Sequence, residues 1–194
     1  MAEINRIEST RLILRPFTFQ DIGAALEYQS NPDVVKYLPW SVRDAAEVEV
    51  AVSRAMGQTT FDRENDYLSL ALERRIDGRM IGQLNAMYIS EANQCAEIGY
   101  VLNPSFCGNG YATESSDALV RALFDTQKIR RVIARIDARN VASQAVARRL
   151  GFRREAYFVE DKLLKGEWIS SLVFATLHGQ WTVRQRSSRR SDRT

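Results

Sequence analysis

Two stretches of this chain hold the groups best placed to do chemistry. The first is residues 103–114, NPSFCGNGYATE. Gly108 and Gly110 frame Asn109, and Tyr111, Ala112 and Thr113 lead into a helical pattern with Leu119, Val120, Leu123 and Phe124 on one face. A glycine-rich turn feeding a helix N-terminus exposes several backbone N–H groups together. With the positive end of the helix dipole, those donors suit a phosphate or pyrophosphate. No Gly-Lys-Ser/Thr follows, and Thr113 stands where a dinucleotide fingerprint has its last glycine, so neither nucleotide motif is present. On these residues alone, a tight turn without a ligand is an equal alternative.

The second stretch is residues 140–152, NVASQAVARRLGF. Asn140 is placed to cap a helix through its side-chain oxygen, and Gly151 falls just past the end, with Phe152 folding back onto Val146 or Ala147. A capped packing helix explains all of this except Ser143. That residue sits in the first turn, where its hydroxyl could hold or protonate a ligand atom.

The remaining inventory narrows the choices. His178 is the one histidine, so a histidine-based triad or a His-rich metal site would have to use it, and no metal is expected. Its place near the end of the last strand suits a structural role. Cys95 and Cys107 do not make a disulfide framework and fit a reduced, cytoplasmic protein. The 194 residues fit one domain with a sizeable core. A composition of 45% hydrophobic and 26% charged residues is that of a globular protein, which excludes collagen-like and disordered classes. No apolar run reaches the roughly 18 residues of a membrane span, so no membrane partner is expected. The opening MAEINRIESTR has no apolar core and is not read as a secretory signal.

The net charge of +3 is uneven. Arg184, Arg186, Arg189, Arg190 and Arg193 against Asp192 give the last residues +4, which leaves the remainder at −1. The tail reads as a disordered, solvated end. The competing reading is a basic arm contacting nucleic acid or a ribosome, though no aromatics are interleaved for base stacking.

The positioning elements follow from pattern. Residues 11–17 alternate as a strand. A helical stretch opens at Thr18, with a stop and fresh start at Asn31-Pro32. Residues 42–56 make a more polar helix that Gly57 closes. Strands at 67–73, 80–89 and 96–102 form a meander, the first pair joined through Asp77-Gly78. A helix from Ala112, a strand at 131–137, the helix at 140–150 and two last strands at 153–162 and 167–177 complete the order. The strand 96–102, its following helix and the strand 131–137 form a right-handed crossover with parallel strands. The expected fold is a single-domain α/β (α+β) one: a mixed, largely antiparallel, seven-stranded sheet with helices on both faces. Its domain spans residues 10–181, between an extension at 1–9 and the tail at 182–194.

C-G-N-G-Y-A followed by N-x-x-S-x-x-x-x-x-x-L-G-F resembles the GNAT family of acetyl-CoA-dependent N-acetyltransferases. The first stretch is similar to its pyrophosphate loop, R/Q-x-x-G-x-G/A, with Cys107 in place of the usual Arg or Gln. The opening TRLILRPFTFQD and the late GEWISSLVFATL further resemble the RimJ/RimL-like branch, whose members acetylate protein N-termini or small amines. Ser170 and Ser171 stand where that branch tends to carry Asp after the Trp. The resemblance implies a seven-stranded GNAT-like sheet and acetyl-CoA as cosubstrate, with no metal. It implies that backbone N–H groups of Gly108, Asn109, Gly110, Tyr111, Ala112 and Thr113 bind the pyrophosphate. Tyr100, Val101 and Leu102 would pair with the pantetheine, one of their amides supporting the thioester oxyanion. Asn140 would bond the pantetheine arm, and Ser143 would protonate the departing thiolate. Glu97 is the first choice of base for the acceptor amine, with Tyr157 and Tyr111 as alternative proton donors. Cys107 as an acyl-accepting nucleophile is the outside choice. Trp40 would wall the acceptor groove. The partner is an amine, either a protein N-terminus or a small molecule, and a homodimer is compatible with the resemblance. A CoA-binding sensor without turnover is the alternative in another class.

Overall fold

The computed structural model describes residues 6–127 and 129–181, so the arginine-rich tail lies outside the described residues. The strands are β1 (Ile7–Glu8), β2 (Leu12–Arg15), β3 (Tyr67–Arg74), β4 (Met80–Ser90), β5 (Cys95–Leu102), β6 (Arg131–Asp137), β7 (Arg153–Leu164) and β8 (Glu167–Leu177). The helices are α1 (Ile22–Gln29), α2 (Pro32–Val35), α3 (Ala45–Met56), α4 (Tyr111–Thr126) and α5 (Val141–Arg149). They build one open, mixed sheet in the order β1-β2-β3-β4-β5-β6-β8-β7. Among the described residues, only the β5–β6 pair is parallel, and α4 is its crossover.

Among the described residues the sheet has eight strands where the sequence suggests seven. The addition is β1, which pairs Ile7 with Leu14 and Glu8 with Ile13 inside the expected N-terminal extension. Two residues cannot display an alternation, so pattern alone cannot reveal it. Helix α3 starts later than the periodicity suggests because Asp44 caps it. Its carboxylate accepts the Glu47 N–H at 2.9 Å, and Glu47 accepts the Asp44 N–H at 3.0 Å. This reciprocal box contributes about 1 kcal/mol and fixes the helix start.

Alternation in β3 sends Leu68, Leu70 and Leu72 to one face and Ala71 to the other. Leu119 and Leu123 of α4 and Val146 of α5 cover the first face. Ala25 and Tyr28 of α1 and Val48 and Val52 of α3 cover the second. The β7–β8 hairpin turns through Lys165 and Gly166, at φ 51° and 86°, the paired left-handed geometry of a two-residue turn. Lys165 Nζ then donates to the Val35 carbonyl at 2.6 Å, tying the hairpin tip to α2.

Candidate functional site

The site begins where two neighbouring strands part. β5 and β6 pair only at Cys95–Arg131, Ala96–Val132 and Glu97–Ile133, although β5 runs on to Leu102 and β6 to Asp137. Beyond Glu97 the sheet is split. The Asn103 N–H donates to the Ile81 carbonyl of β4 at 2.9 Å. By the alternation of an antiparallel ladder, Val101 and Gly99 also aim their backbone groups at β4. The N–H and C=O groups of Tyr100 and Leu102 and the C=O of Ile98 therefore face the split, where β6 no longer meets them; the Ile98 N–H is the last to join β6, in the pairing of Glu97 with Ile133. An extended amide-bearing chain laid there would complete the ladder, and buried backbone groups call for such a partner. The backbone of Val101, expected to join this pairing, is turned toward Gln83 of β4. Its buried side chain lines the cleft instead.

The split opens into a cleft of about 570 Å³ under the 108–113 loop. Gly108 and Gly110 both adopt left-handed backbone, at φ 83° and 80°. That pair of turns sets the first N–H groups of α4 free of internal partners, since the first helical bond runs from Glu114 N–H to the Gly110 carbonyl. The Asn109 side chain braces the turn from within, donating to the Phe106 and Cys107 carbonyls at 3.2 Å each. Arg11 braces it from outside. Its Nη2 donates to the Asn109 carbonyl at 3.0 Å, its Nε and backbone N–H donate to the Glu114 carboxylate at 2.7 Å, and its guanidinium lies 4.6 Å from the Tyr111 ring centre. Arg149 also lines this cleft. The loop is thus a pre-shaped donor cradle with cations beside it, which fits a pyrophosphate.

Helix α5 forms the opposite wall. Asn140 caps it as expected, accepting the Ser143 N–H at 3.0 Å. The cap occupies the side-chain oxygen, so the NH2 group is the part left to face a ligand. The Ser143 carbonyl accepts the Tyr100 hydroxyl at 3.0 Å, and burial pushes that phenol up to about 12, so Tyr100 stays protonated and structural. Gly151 is left-handed at φ 78°, and the Phe152 N–H returns to the Ala147 carbonyl at 3.0 Å, the expected stop.

A second arm, of about 300 Å³, leads away from the split on the α1–α3 side of the sheet. Tyr37, Leu38, Tyr100, Val101, Asn140 and Ser143 line both arms, so the two meet at the start of the split. Glu97 lies on this second arm with Trp40, Tyr67 and Asn85. Burial pushes the Glu97 carboxyl above the usual carboxylate range, and the nearby Arg135 and Lys162 offset this only in part. Burial, then the Glu97 charge, also raises the Tyr67 phenol. Asn85 lies over Gly99: a Cβ at that glycine would stand 2.9 Å from Asn85 Oδ1. Gly99 is therefore what leaves room for an amide on the arm's floor.

Glu97, Tyr100, Val101, Leu102, Gly108, Gly110, Tyr111, Ala112, Thr113, Asn140, Ser143 and Trp40 thus line one continuous, two-armed cleft. Tyr157 does not join them. It pairs with Leu172, whose side chain packs in the α4–α5 core, so Tyr157 points to that face and lies exposed outside both arms. Cys107 is at the rim, and burial raises its thiol, which leaves it poorly suited as a nucleophile. His178 stacks against Phe124, 5.2 Å between ring centres, away from both arms. Arg11, Arg149, Tyr37 and Asn85 belong to the site without any signal in their local sequence. Each arrives through contacts across the fold. Among the described residues, no cluster of His, Cys, Asp and Glu could hold a metal ion, and no helix is long and apolar enough to cross a membrane.

Residues 11–153 match the family described as the acetyltransferase (GNAT) domain. The chain is 29% identical over 175 residues to an uncharacterized N-acetyltransferase, YnaD, of Bacillus subtilis, covering 90% of this chain and 98% of that protein. It is 25% identical to the [ribosomal protein uS5]-alanine N-acetyltransferase of Escherichia coli, covering 91% and 93%. Among solved structures, a GNAT-family acetyltransferase from Bacillus anthracis superposes with a TM-score of 0.80 at 29% identity, over 89% of this chain and 98% of that one.

Proposed function

The chain belongs to the GNAT acetyltransferase family, whose acetyl donor is acetyl-CoA, and from that premise we propose that it is a cytoplasmic enzyme acetylating a primary amine by direct attack in a ternary complex. The observation that carries this reading is the meeting of the two arms at the split, with Glu97 on one and the phosphate-binding loop at the far end of the other. The donor fits the first arm: the loop amides of Gly110, Tyr111, Ala112 and Thr113 hold the pyrophosphate, and the backbone of Tyr100 and Leu102 holds the pantetheine. The Tyr100 N–H, the first in the split that β6 leaves open, supports the developing oxyanion.

The amine enters by the second arm. Glu97 takes its proton as the nitrogen attacks the thioester carbonyl carbon. The carbon–sulfur bond breaks, and the thiolate receives a proton from Ser143 or from water. The acceptor is a protein N-terminus or a small amine, and the uS5-alanine N-acetyltransferase among the relatives supports the former class.

The first test is ligand-specific stabilisation. Acetyl-CoA at 100 times its Kd stabilises by roughly 2.7 kcal/mol, or roughly 5–10 °C in Tm for a chain of this size. A thermal-shift panel should show this for acetyl-CoA and CoA but not for NAD or ATP. No shift with CoA compounds at millimolar concentration contradicts the reading.

Ser143→Ala separates two roles. As a proton donor to the thiolate, its loss lowers kcat by roughly tenfold, below the usual range because a thiolate already leaves well. The expected result is a lower kcat with an unchanged Kd for acetyl-CoA by calorimetry. Unchanged kcat with weaker binding makes Ser143 a cofactor contact instead.

A further inference from the structure

Behind Trp40 lies a separate pocket of about 250 Å³. It shares Pro39, Trp40 and Tyr67 with the acceptor arm, so the two spaces adjoin at those side chains. Its polar lining is donor-rich. Arg43 lies across the Trp40 ring, 4.9 Å from its centre, and Arg54 and Gln58 complete the side toward α3. Among the described residues, no carboxylate lines this pocket.

The acceptors near it are already engaged. Gln29 Oε1 accepts from Arg43 Nη1 at 2.7 Å, Gln83 Oε1 accepts the Tyr28 hydroxyl at 2.8 Å, and Gln58 Oε1 accepts the Ser69 hydroxyl at 2.7 Å. The donors are not used up. Trp40 Nε1 is buried with no hydrogen-bond partner among the described residues. Arg54 makes no ion pair among the described residues. The carboxylate that acts on Arg43 is Glu47, which is occupied in capping α3. Two guanidiniums facing a recess without a carboxylate, beside an orphaned indole N–H, form a site that lacks its anion.

We propose that this pocket is an anion subsite for the acceptor, holding a carboxylate or phosphate carried at a distance from the amine that Glu97 deprotonates. The inference rests on the second arm being the amine site. It sorts the acceptors: an amine bearing a remote acid is preferred over a simple polyamine, whose far cation would meet Arg43 and Arg54.

The test uses the full chain and two independent readouts. In the first, glutarate and inorganic phosphate are titrated against tryptophan emission without acetyl-CoA. A saturable change is expected in the parent, absent in Trp40→Phe and weakened at least tenfold in Arg54→Gln. Arg54 is exposed, so that variant stays folded, whereas Arg43→Gln also loses the Gln29 contact. In the second, 6-aminohexanoic acid and its amide are compared as acceptors. The acid should have a KM about tenfold lower, the size of one charge-assisted hydrogen bond. In Arg54→Gln the two KM values should converge. A non-saturable titration, or an acid preference that survives in both arginine variants, overturns the subsite, the latter assigning the anion to Arg135 and Lys162 instead. If neither amine is acetylated, small ω-amino compounds are not acceptors and the transferase reading rests on the wider amine and peptide panel, while the titration alone decides whether the pocket binds anions.

Discussion

Replacing Gly110 with valine should weaken acetyl-CoA binding by at least 100-fold while leaving the chain folded. At φ 80°, Gly110 occupies backbone space that a β-branched residue enters only at a cost of roughly 1–2 kcal/mol. Valine relieves that strain by changing φ, which swings the Tyr111 and Ala112 N–H groups off the cradle. The fold survives because the loop is exposed and a Cβ at this position meets only Arg11 Nη2, at an ordinary 3.6 Å. Asn109→Ala should have a smaller but measurable effect, since the side chain braces the turn without pointing its amide at the ligand. Calorimetry of the three proteins, with circular dichroism as the folding control, gives the comparison. Parent-like affinity in a folded Gly110→Val protein would make this loop an ordinary turn.

Glu97→Gln should lower kcat/KM by roughly 10²–10⁴-fold, the usual contribution of a positioned base. Amines with pKa near that of lysine, about 10.4, are almost wholly protonated at neutral pH, so a base is needed before attack. The sign of the pH dependence follows from burial. With its pKa raised, Glu97 is protonated, and inactive as a base, over a wider acid range than an exposed glutamate. In the parent, kcat/KM should therefore fall with decreasing pH through an apparent pKa above the usual carboxylate value. That limb should be absent in Glu97→Gln, while acetyl-CoA binding is retained. A variant with the same profile as the parent removes Glu97 from proton transfer.

The parts of the site written in local sequence were legible there. Gly108 and Gly110 before an amphipathic run, and Asn140 and Gly151 bracketing a short one, encode turns and caps that depend on a few neighbouring residues. The parting of β5 from β6 could not be read, because it is decided by pairing partners far apart in the chain. Arg11 was equally hidden: it reaches Asn109 across nearly a hundred positions. Tyr157 shows a different failure. Irregular register between Arg154 and Ala156, and again between Phe158 and Lys162, breaks the period of two along β7. A single extra residue moves a side chain to the other face, so Tyr157 faces away from the arm that an unbroken alternation would allow. The family resemblance, not its position between helices, is what puts Trp40 at the groove. Its orphaned N–H, and the pocket behind it, exist only once α3 packs against the sheet.

The proposed transfer has an amine on one arm attack a thioester on the other where the two arms meet. It is tested most directly by following free CoA thiol from acetyl-CoA across a panel of peptides and small amines, with the acetylated product identified by mass spectrometry. The expected result is amine-dependent thiol release matched one-to-one by N-acetylated product, with intersecting initial-rate lines when both substrates are varied, and loss of both signals in Glu97→Gln. Tight acetyl-CoA binding with no amine-dependent thiol release across the panel would contradict it and mark the cleft as a sensor of the cofactor.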